Sequence, residues 1–219
     1  MASMAKRRAA MVDHQIVARG VGDPRLLEAM RTIPREAFVP RHLTALAYED
    51  SPLPIAAGQT ISQPYIVALM IAEARIRPLD RLLEIGLGSG YAAAIMSWMA
   101  REVFAIDRHA ELTDLARERM TRLGIDNVVI GTGDGTGGWP EHAPFDAIIV
   151  AAGGPRIPEP LRDQLAIGGR MVIPVGDPDQ QSLVRLTRHG DDNFTEETLG
   201  PVRFVPLIGE HGWNHMVPV

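Results

Sequence analysis

The chain has 219 residues, 46% of them hydrophobic and 22% charged; at roughly 150 residues per domain this suits one good-sized domain with additions and excludes a disordered or fibrous chain. It contains no cysteine, so disulfide scaffolding, thiolate zinc sites and cysteine nucleophiles are all excluded. The net charge of -5, from 27 acidic against 22 basic residues, gives no global field that favours nucleic acid or an anionic membrane, and neither is an expected partner.

The N-terminal string MASMAKRRAAMVD carries a basic cluster, Lys6 to Arg8, with no apolar run before Asp13 and His14. It reads as a solvated helix start rather than a secretory signal. Asp23-Pro24 is an N-cap followed by proline at the first helical position, and Leu26, Leu27, Met30 and Ile33 then recur on one face of a helix ending near Pro34. From Tyr48 to Ser62, Pro52, Pro54 and Gly58 exclude a regular helix or central strand, so a long loop is expected. The helix SQPYIVALMIAEA follows, with Ile66, Leu69, Met70 and Glu73 on its predicted half-buried face and Ser62 as its expected N-cap.

From Arg81 the text alternates: strand RLLEIG, helix YAAAIMSWMA, strand VFAID, helix AELTDLARERMTRLG closed by Gly124, strands NVVIGTG and FDAIIVAA, helix PEPLRDQLA closed by Gly168-Gly169, strand RMVIPVG. Such alternation predicts a mostly parallel, doubly wound α/β sheet. SLVRLTRHG and TLGPVRFVPL, separated by DDNFTEE, read as an antiparallel pair at its edge. Met96, Trp98 and Met99 read as helix core, and Asp146 either as a strand-start residue or as one orienting a ligand's neighbours. One domain, 1–219, is expected: N-terminal helices and loop over 1–78, an α/β core over 79–176, edge strands and tail over 177–219. The longest apolar stretch, around Ala147 to Ala152, is far below the roughly 18 residues that span a bilayer, so a cytoplasmic protein without a membrane partner is expected.

The sharpest local signal is LEIGLGSGY, where Gly86, Gly88 and Gly90 sit between a strand and a helix. This spacing lets the backbone turn tightly and approach a ligand. The dinucleotide pattern G-x-G-x-x-G would need glycine at Tyr91, which weakens a nicotinamide reading. Asp107 ends the next strand 21 residues after Gly86, placed either to accept from ribose hydroxyls or to cap the following helix. Asp134-Gly135 ends the third strand at the same sheet edge. A pyrophosphate prefers bare amides and nearby cations, whereas Glu84 suits a ligand carrying a positive amine. S-adenosyl-L-methionine carries an amine, a sulfonium and an adenosine, and E-x-G-x-G-x-G resembles the loop of Rossmann-like methyltransferases. His211 and His215 stand at i, i+4 around a glycine and read as tail; no metal is expected.

With PREAFVP, AYEDSPLPI, GQTISQPYIVALM, LEIGLGSGYAAAI, GTGDGTGGW, FDAIIVAA, QLAIGGRMVIPVG and VRFVPLIGE in hand, the sequence closely resembles protein-L-isoaspartate O-methyltransferases over almost its whole length. GQTISQP and VRFVPL are the specific strings. The resemblance implies a Rossmann-like S-adenosylmethionine-dependent methyltransferase fold with an N-terminal helical addition and antiparallel C-terminal edge strands. It implies Ser62 as the active-site residue, Glu84, Gly86, Gly88 and Ser89 in the cofactor loop, and Asp107 at the ribose, where many members have glutamate. It also implies Asp134 and Gly135 beside the adenine, and Thr60, Ile61, Val205, Pro206 and Leu207 around the isoaspartyl substrate. Ala56 stands where the family commonly has glycine.

The implied reaction moves a methyl group to the free α-carboxylate of isoaspartyl residues in damaged proteins. Two alternatives are methylation of normal aspartate in one dedicated peptide to form an aspartimide, and a catalytically inactive cofactor-binding protein. Members of the former type typically carry an added C-terminal segment; the chain stops at Val219, soon after VRFVPL, which favours repair. The enzyme is expected to be a monomer.

Overall fold

The structure is a computed structural model that describes residues 3–214. Helix α1 (Met4–Met11) continues through a π turn (Val12–Ile16) and a 3-10 turn (Val17–Arg19), and α2 (Pro24–Thr32) follows. Helix α2 starts as its sequence predicts: the Asp23 carboxylate accepts from the main-chain N–H groups of Arg25 and Leu26, satisfying two donors that have no partner inside the helix.

The 48–62 segment is more ordered than the expected loop. Two-residue strands β1 (Leu53–Pro54) and β2 (Thr60–Ile61) pair antiparallel around a 3-10 turn (Ala56–Gly58). Ala57 takes a left-handed conformation there, φ 55°, rare for a residue with a Cβ. Ala56, which departs from the family glycine, keeps no such conformation.

Helix α3 (Pro64–Glu73) buries Val67, Ala68, Met70 and Ile71, a face turned from the predicted one. It has no single wet stripe because it is wedged between the sheet and the N-terminal helices; Ile66 and Leu69 also pack against the core. Glu73, predicted on the buried face, forms an ion pair with Arg185.

The remaining elements are β3 (Arg81–Ile85), α4 (Tyr91–Ser97), β4 (Glu102–Asp107), α5 (Ala110–Leu123), β5 (Val128–Thr132), β6 (Phe145–Val150), α6 (Glu159–Asp163), β7 (Leu165–Asp177), β8 (Gln180–Arg188) and β9 (Phe194–Val202). Seven of the strands form one sheet in the order β5-β4-β3-β6-β7-β8-β9. Strands β5 to β7 run parallel; β8 and β9 are added antiparallel. Alternate residues feed two cores. Leu82, Val103, Ala105 and Ile149 pack beneath α3, α4 and α5, and Leu83, Ile85, Phe104, Ile106 and Ile148 pack against Phe145, Leu161 and Leu207 on the other side. Each such fully buried aliphatic or aromatic side chain contributes ~1.5–3 kcal/mol.

Several expected boundaries move: the strand read as TLGPVRFVPL ends at Val202, and β7 begins at Leu165, before the expected Arg170. Helix α6 stops at Asp163. Gly168-Gly169 close no helix; they lie in a bulge of β7, which pairs with β6 through Phe145↔Leu165 and resumes at Ala147↔Arg170. Strand β9 starts at Phe194, inside the stretch read as a connector; its exposed Thr195, Glu196 and Glu197 mark a solvated edge strand, which composition alone does not separate from a loop. Met96 and Met99 are core, but Trp98 is 53% exposed. Asp146 lies near the start of β6, at the sheet edge away from the glycine loop, where it accepts from the Arg81 main-chain N–H at 2.8 Å. It orients nothing near a ligand.

After β9 the chain turns back over the carboxyl ends of the parallel strands. Gln181 receives Phe204, accepting from its N–H at 2.8 Å and donating to its carbonyl at 3.2 Å. Gly153 accepts from the Leu207 N–H and donates to the Val205 carbonyl, both at 2.8 Å. Asp134 fastens the end: it accepts from the Thr136 N–H and hydroxyl and, at 2.8 Å, from the Glu210 N–H. Gly209 passes so close that a side chain there would collide with this carboxylate. Burial would raise the Asp134 carboxyl, but these hydrogen bonds and nearby His211 outweigh it and hold it below the usual carboxylate range. The native carboxyl therefore stays ionised to lower pH than the unfolded one, so its stabilisation is present above about pH 4 and is lost as pH falls through the native value. Accordingly, Asp134→Asn is expected to lower the melting temperature at neutral pH, with the gap from the parent closing in acid. A gap of constant size between about pH 7 and pH 2 in thermal unfolding would show that the charge is not what fastens the segment.

Candidate active site

The order of the sheet dictates where a ligand sits. From β3 the chain crosses to β4 on one side, and β6 later joins on the other, so the loops after β3 and β6 part at their carboxyl ends and leave a crevice. Gly86 and Gly88 hold φ values of 84° and 53° at the floor of this crevice, and Gly90 holds 85° where α4 begins. An L-residue rarely adopts any of them. The loop is tied down by main-chain bonds from Gly86 and Leu87 to the Ile106 carbonyl, 2.8 and 3.1 Å, and by Asp107, whose Oδ2 accepts from the Gly88 N–H at 2.8 Å. Arg119 on α5 donates to the Ser89 carbonyl at 2.9 Å.

The crevice has two lobes that share Thr60, Gly86, Gly88 and Ala151. One, of about 570 Å³, is lined by Ile85, Ile106, Asp107, Gly135 and the segment Val205, Pro206, Leu207 and Ile208. The other, of about 530 Å³, is lined by Ile61, Ser62, Glu84, Ser89, Tyr91 and apolar residues of α3. Twelve of the thirteen residues named from the sequence thus line one crevice. Asp134 does not: its carboxylate is turned into the 209–211 segment, and its neighbour Gly135 takes the wall instead. The structure also sets Val205, Pro206 and Leu207 in the same lobe as Asp107, across the glycine loop from Ser62.

The two capping readings are corrected. The N-cap of α3 is Gln63, which makes no side-chain cap bond, and Ser62 lies one residue outside the helix with its carbonyl accepting from Arg35 at 2.8 Å. The N-cap of α5 is His109. Asp107 accepts from the His109 N–H at 3.0 Å, so its two oxygens join the glycine loop to the start of α5, and each keeps a second lone pair for a ligand.

Glu84 is the electrostatic centre. It lies on β3 between Ala105 and Ile149 of the neighbouring strands, is 1% exposed, and its Oε2 is buried without a hydrogen-bond partner. Burial pushes its carboxyl well above the usual carboxylate range, and the Asp107 charge adds to the shift. A cationic amine in the lobe would supply the missing partner, so the residues fit an aminoacyl-type group beside the glycine loop. Residues that the sequence did not single out include Arg108, His109, Ala151 and Tyr91 in the walls; Arg108 and His109 follow β4 and Ala151 follows β6 at the sheet edge that a ligand uses, which is the readable signal among them. Of the histidine pair, His215 lies outside the described residues, and His211 gives its main-chain N–H to Thr136.

The comparisons agree with this geometry. Residues 6–212 match the family model described as protein-L-isoaspartate(D-aspartate) O-methyltransferase. A protein-L-isoaspartate O-methyltransferase of Rhodopseudomonas palustris is 56% identical over 209 residues, covering 95% of this chain and 96% of the relative. One from Protochlamydia amoebophila is 54% identical over 205 residues, covering 93% and 98%. A solved protein-L-isoaspartate O-methyltransferase superposes with a TM-score of 0.83 at 29% identity, over 95% of this chain and 67% of the other. A Plasmodium falciparum protein of the same description, solved in complex with S-adenosyl-L-homocysteine, gives 0.80 at 27% identity over 92% and 98%. A family match across nearly the whole chain, on a fold whose crevice sits at the glycine loop, leaves one conclusion: the chain belongs to the protein-L-isoaspartate(D-aspartate) O-methyltransferase family.

Proposed function

We propose that this protein is a repair enzyme that transfers a methyl group from S-adenosyl-L-methionine to the free α-carboxylate of L-isoaspartyl residues in damaged proteins. The observation that carries the reading is the second lobe, where Ser62 and Glu84, whose Oε2 is buried without a partner, line one space beside the glycine loop. Glu84 would hold the cofactor's amine, Gly86, Gly88 and Ser89 its aminoacyl part, Asp107 the ribose and Gly135 the adenine edge.

The bound cofactor supplies an electrophilic methyl group on a sulfonium. The substrate carboxylate, with an ordinary pKa near 4, is already ionised at neutral pH and needs no general base. Ser62 donates a hydrogen bond that keeps that carboxylate in line. The apolar walls, Ile61 on one side and Val205, Pro206 and Leu207 on the other, exclude water and favour the neutral ester over two separated charges. The chain's work is alignment and desolvation. The ester then closes to a succinimide by attack of the neighbouring backbone nitrogen, with methanol leaving, and hydrolysis returns part of it to L-aspartate. The setting we propose is the cytoplasm; no helix among the described residues is long and apolar enough to cross a membrane.

Methyl-labelled donor and paired peptides that differ only in isoaspartyl against aspartyl linkage test the reading directly. Label is expected in the isoaspartyl peptide; label in the normal peptide alone would establish the aspartimide chemistry instead. Ser62→Ala is expected to lower kcat/KM by roughly ten- to a hundredfold, the equivalent of the ~1.5–3 kcal/mol of a hydrogen bond to a charged group, without abolishing turnover.

Glu84 makes a separate prediction. Its raised carboxyl should return toward the usual range when an ammonium sits beside it, so cofactor binding releases protons between those two values. Titration calorimetry with S-adenosyl-L-homocysteine should therefore give enthalpies that vary with the ionisation enthalpy of the buffer, and Glu84→Gln should remove that variation. Identical enthalpies in all buffers across that pH range would refute the role of Glu84.

A further inference from the structure

Arg35, in the PREAFVP string, is a charged side chain with no exposed surface. Its Nε donates to the Ala47 carbonyl and one terminal nitrogen donates to the Ser62 carbonyl, each at 2.8 Å. The guanidinium lies over the Tyr91 ring, 5.0 Å from its centroid, and Tyr91 lines the same lobe as Ser62 and Glu84. The other terminal nitrogen is buried without a partner. Burying such a cation is expensive, and an apolar side chain of similar volume fills space as well or better. Filling space does not explain it.

The local backbone suggests what does. Pairing of β1 with β2 ends at Ile61, and α3 begins at Pro64 behind a cap residue that contributes no side-chain bond. Ser62 lies between two regular elements and in neither. Among the described residues, the bond from Arg35 is the one that grips its carbonyl, and the same planar fork spans to Ala47, which lies outside the crevice. The peptide group of Ser62 is therefore set by a rigid two-point brace. Because the direction of a serine Cα–Cβ bond follows its backbone, the brace confines the hydroxyl to the few staggered positions about that bond.

We propose that Arg35 is a positioning residue for methyl transfer: by bracing the Ser62 carbonyl against Ala47, it holds the Ser62 hydroxyl in the direction that aligns the substrate carboxylate. This rests on the reading of Ser62 given above. Lysine keeps the charge but is a point donor on a flexible stem and cannot bridge both carbonyls in a fixed plane.

The experiment is a double-mutant cycle on the intact protein with an isoaspartyl peptide, comparing the parent, Arg35→Lys, Ser62→Ala and the double variant. In each, kcat, KM for the peptide and the affinity for S-adenosyl-L-homocysteine are measured. Arg35→Lys is expected to lower kcat about tenfold while changing S-adenosyl-L-homocysteine affinity less than about twofold, and to add less than about twofold to the loss already caused by Ser62→Ala. Equal losses from Arg35→Lys in both backgrounds, or a fall in S-adenosyl-L-homocysteine affinity matching the fall in kcat, would overturn the proposal and leave Arg35 as part of the core. A parent-like kcat in Ser62→Ala would instead remove the reading of Ser62, a different failure. If Arg35→Lys does not fold, an amide-to-ester exchange at the Ser62–Gln63 bond weakens the same acceptor with Arg35 in place. A loss of kcat from that exchange in the parent sequence but not in the Ser62→Ala variant supports the brace, and equal losses in the two, or none in either, overturn it.

Discussion

A carboxyl group buried without a partner in the central strand of a parallel sheet is the constraint on which the rest of this molecule turns. Glu84 has β4 and β6 on either side and apolar neighbours on both, and its buried Oε2 has no hydrogen-bond partner to stabilise the ionised form. Burial, with the Asp107 charge, holds its carboxyl above the usual carboxylate range. The strand also forms the end wall of a lobe in which this carboxyl sits with Ser62, Ser89 and the apolar residues of α3. Fold and crevice are coupled at this residue: one position of β3 belongs both to the sheet and to the wall.

What surrounds Glu84 follows from sheet topology. The loops after β3 and β6 diverge, and the ends of β4 and β5 bring Asp107 and Gly135 to the same edge. These are short-range consequences of strand ends, and each can be built with a glycine turn or a single carboxylate bond such as that from the Gly88 N–H to Asp107.

The same distinction explains what could be read in advance. Strands β3 to β6 are short apolar runs, β4 ending in aspartate and β3 and β5 followed by glycine, and their parallel pairing and common edge were legible from alternation and turn chemistry alone. The start of β9 was not, because Thr195, Glu196 and Glu197 sit on an exposed edge and carry the composition of a connector. Gly168-Gly169 looked like a helix stop and instead make a bulge, a choice fixed by pairing with Phe145 across the sheet. The face of α3 was misassigned because a helix apolar on every side has no period to follow. Asp134 could be placed at the right edge but not oriented, since what it binds lies 76 residues further along the chain. Arg35 and Gln181 gave no signal at all: each acts on the main chain of a distant segment, and nothing local in the sequence encodes which one.

These distant bonds have a common target. The two segments that close the crevice over the glycine loop, 59–62 and 204–211, lie outside long strands and helices; only short main-chain pairings hold them, Leu53↔Ile61 and Pro54↔Thr60 for one and Gly153 with Val205 and Leu207 for the other. Each is held in addition by a polar side chain that grips its backbone: Arg35 on Ser62, Gln181 on Phe204, Asp134 on Glu210. A longer ladder would have forced these segments into a strand geometry that points alternate side chains away from the ligand. Discrete braces leave their backbone free to follow the shape of a substrate that is itself irregular backbone, an isoaspartyl linkage, while still fixing the few main-chain groups that matter. Alignment, which is nearly all that transfer to an already ionised carboxylate demands, is thereby delegated to side chains outside the crevice. Those braces are also where a change can alter the rate without touching the cofactor lobe, since each acts on one closing segment and leaves the strand ends in place.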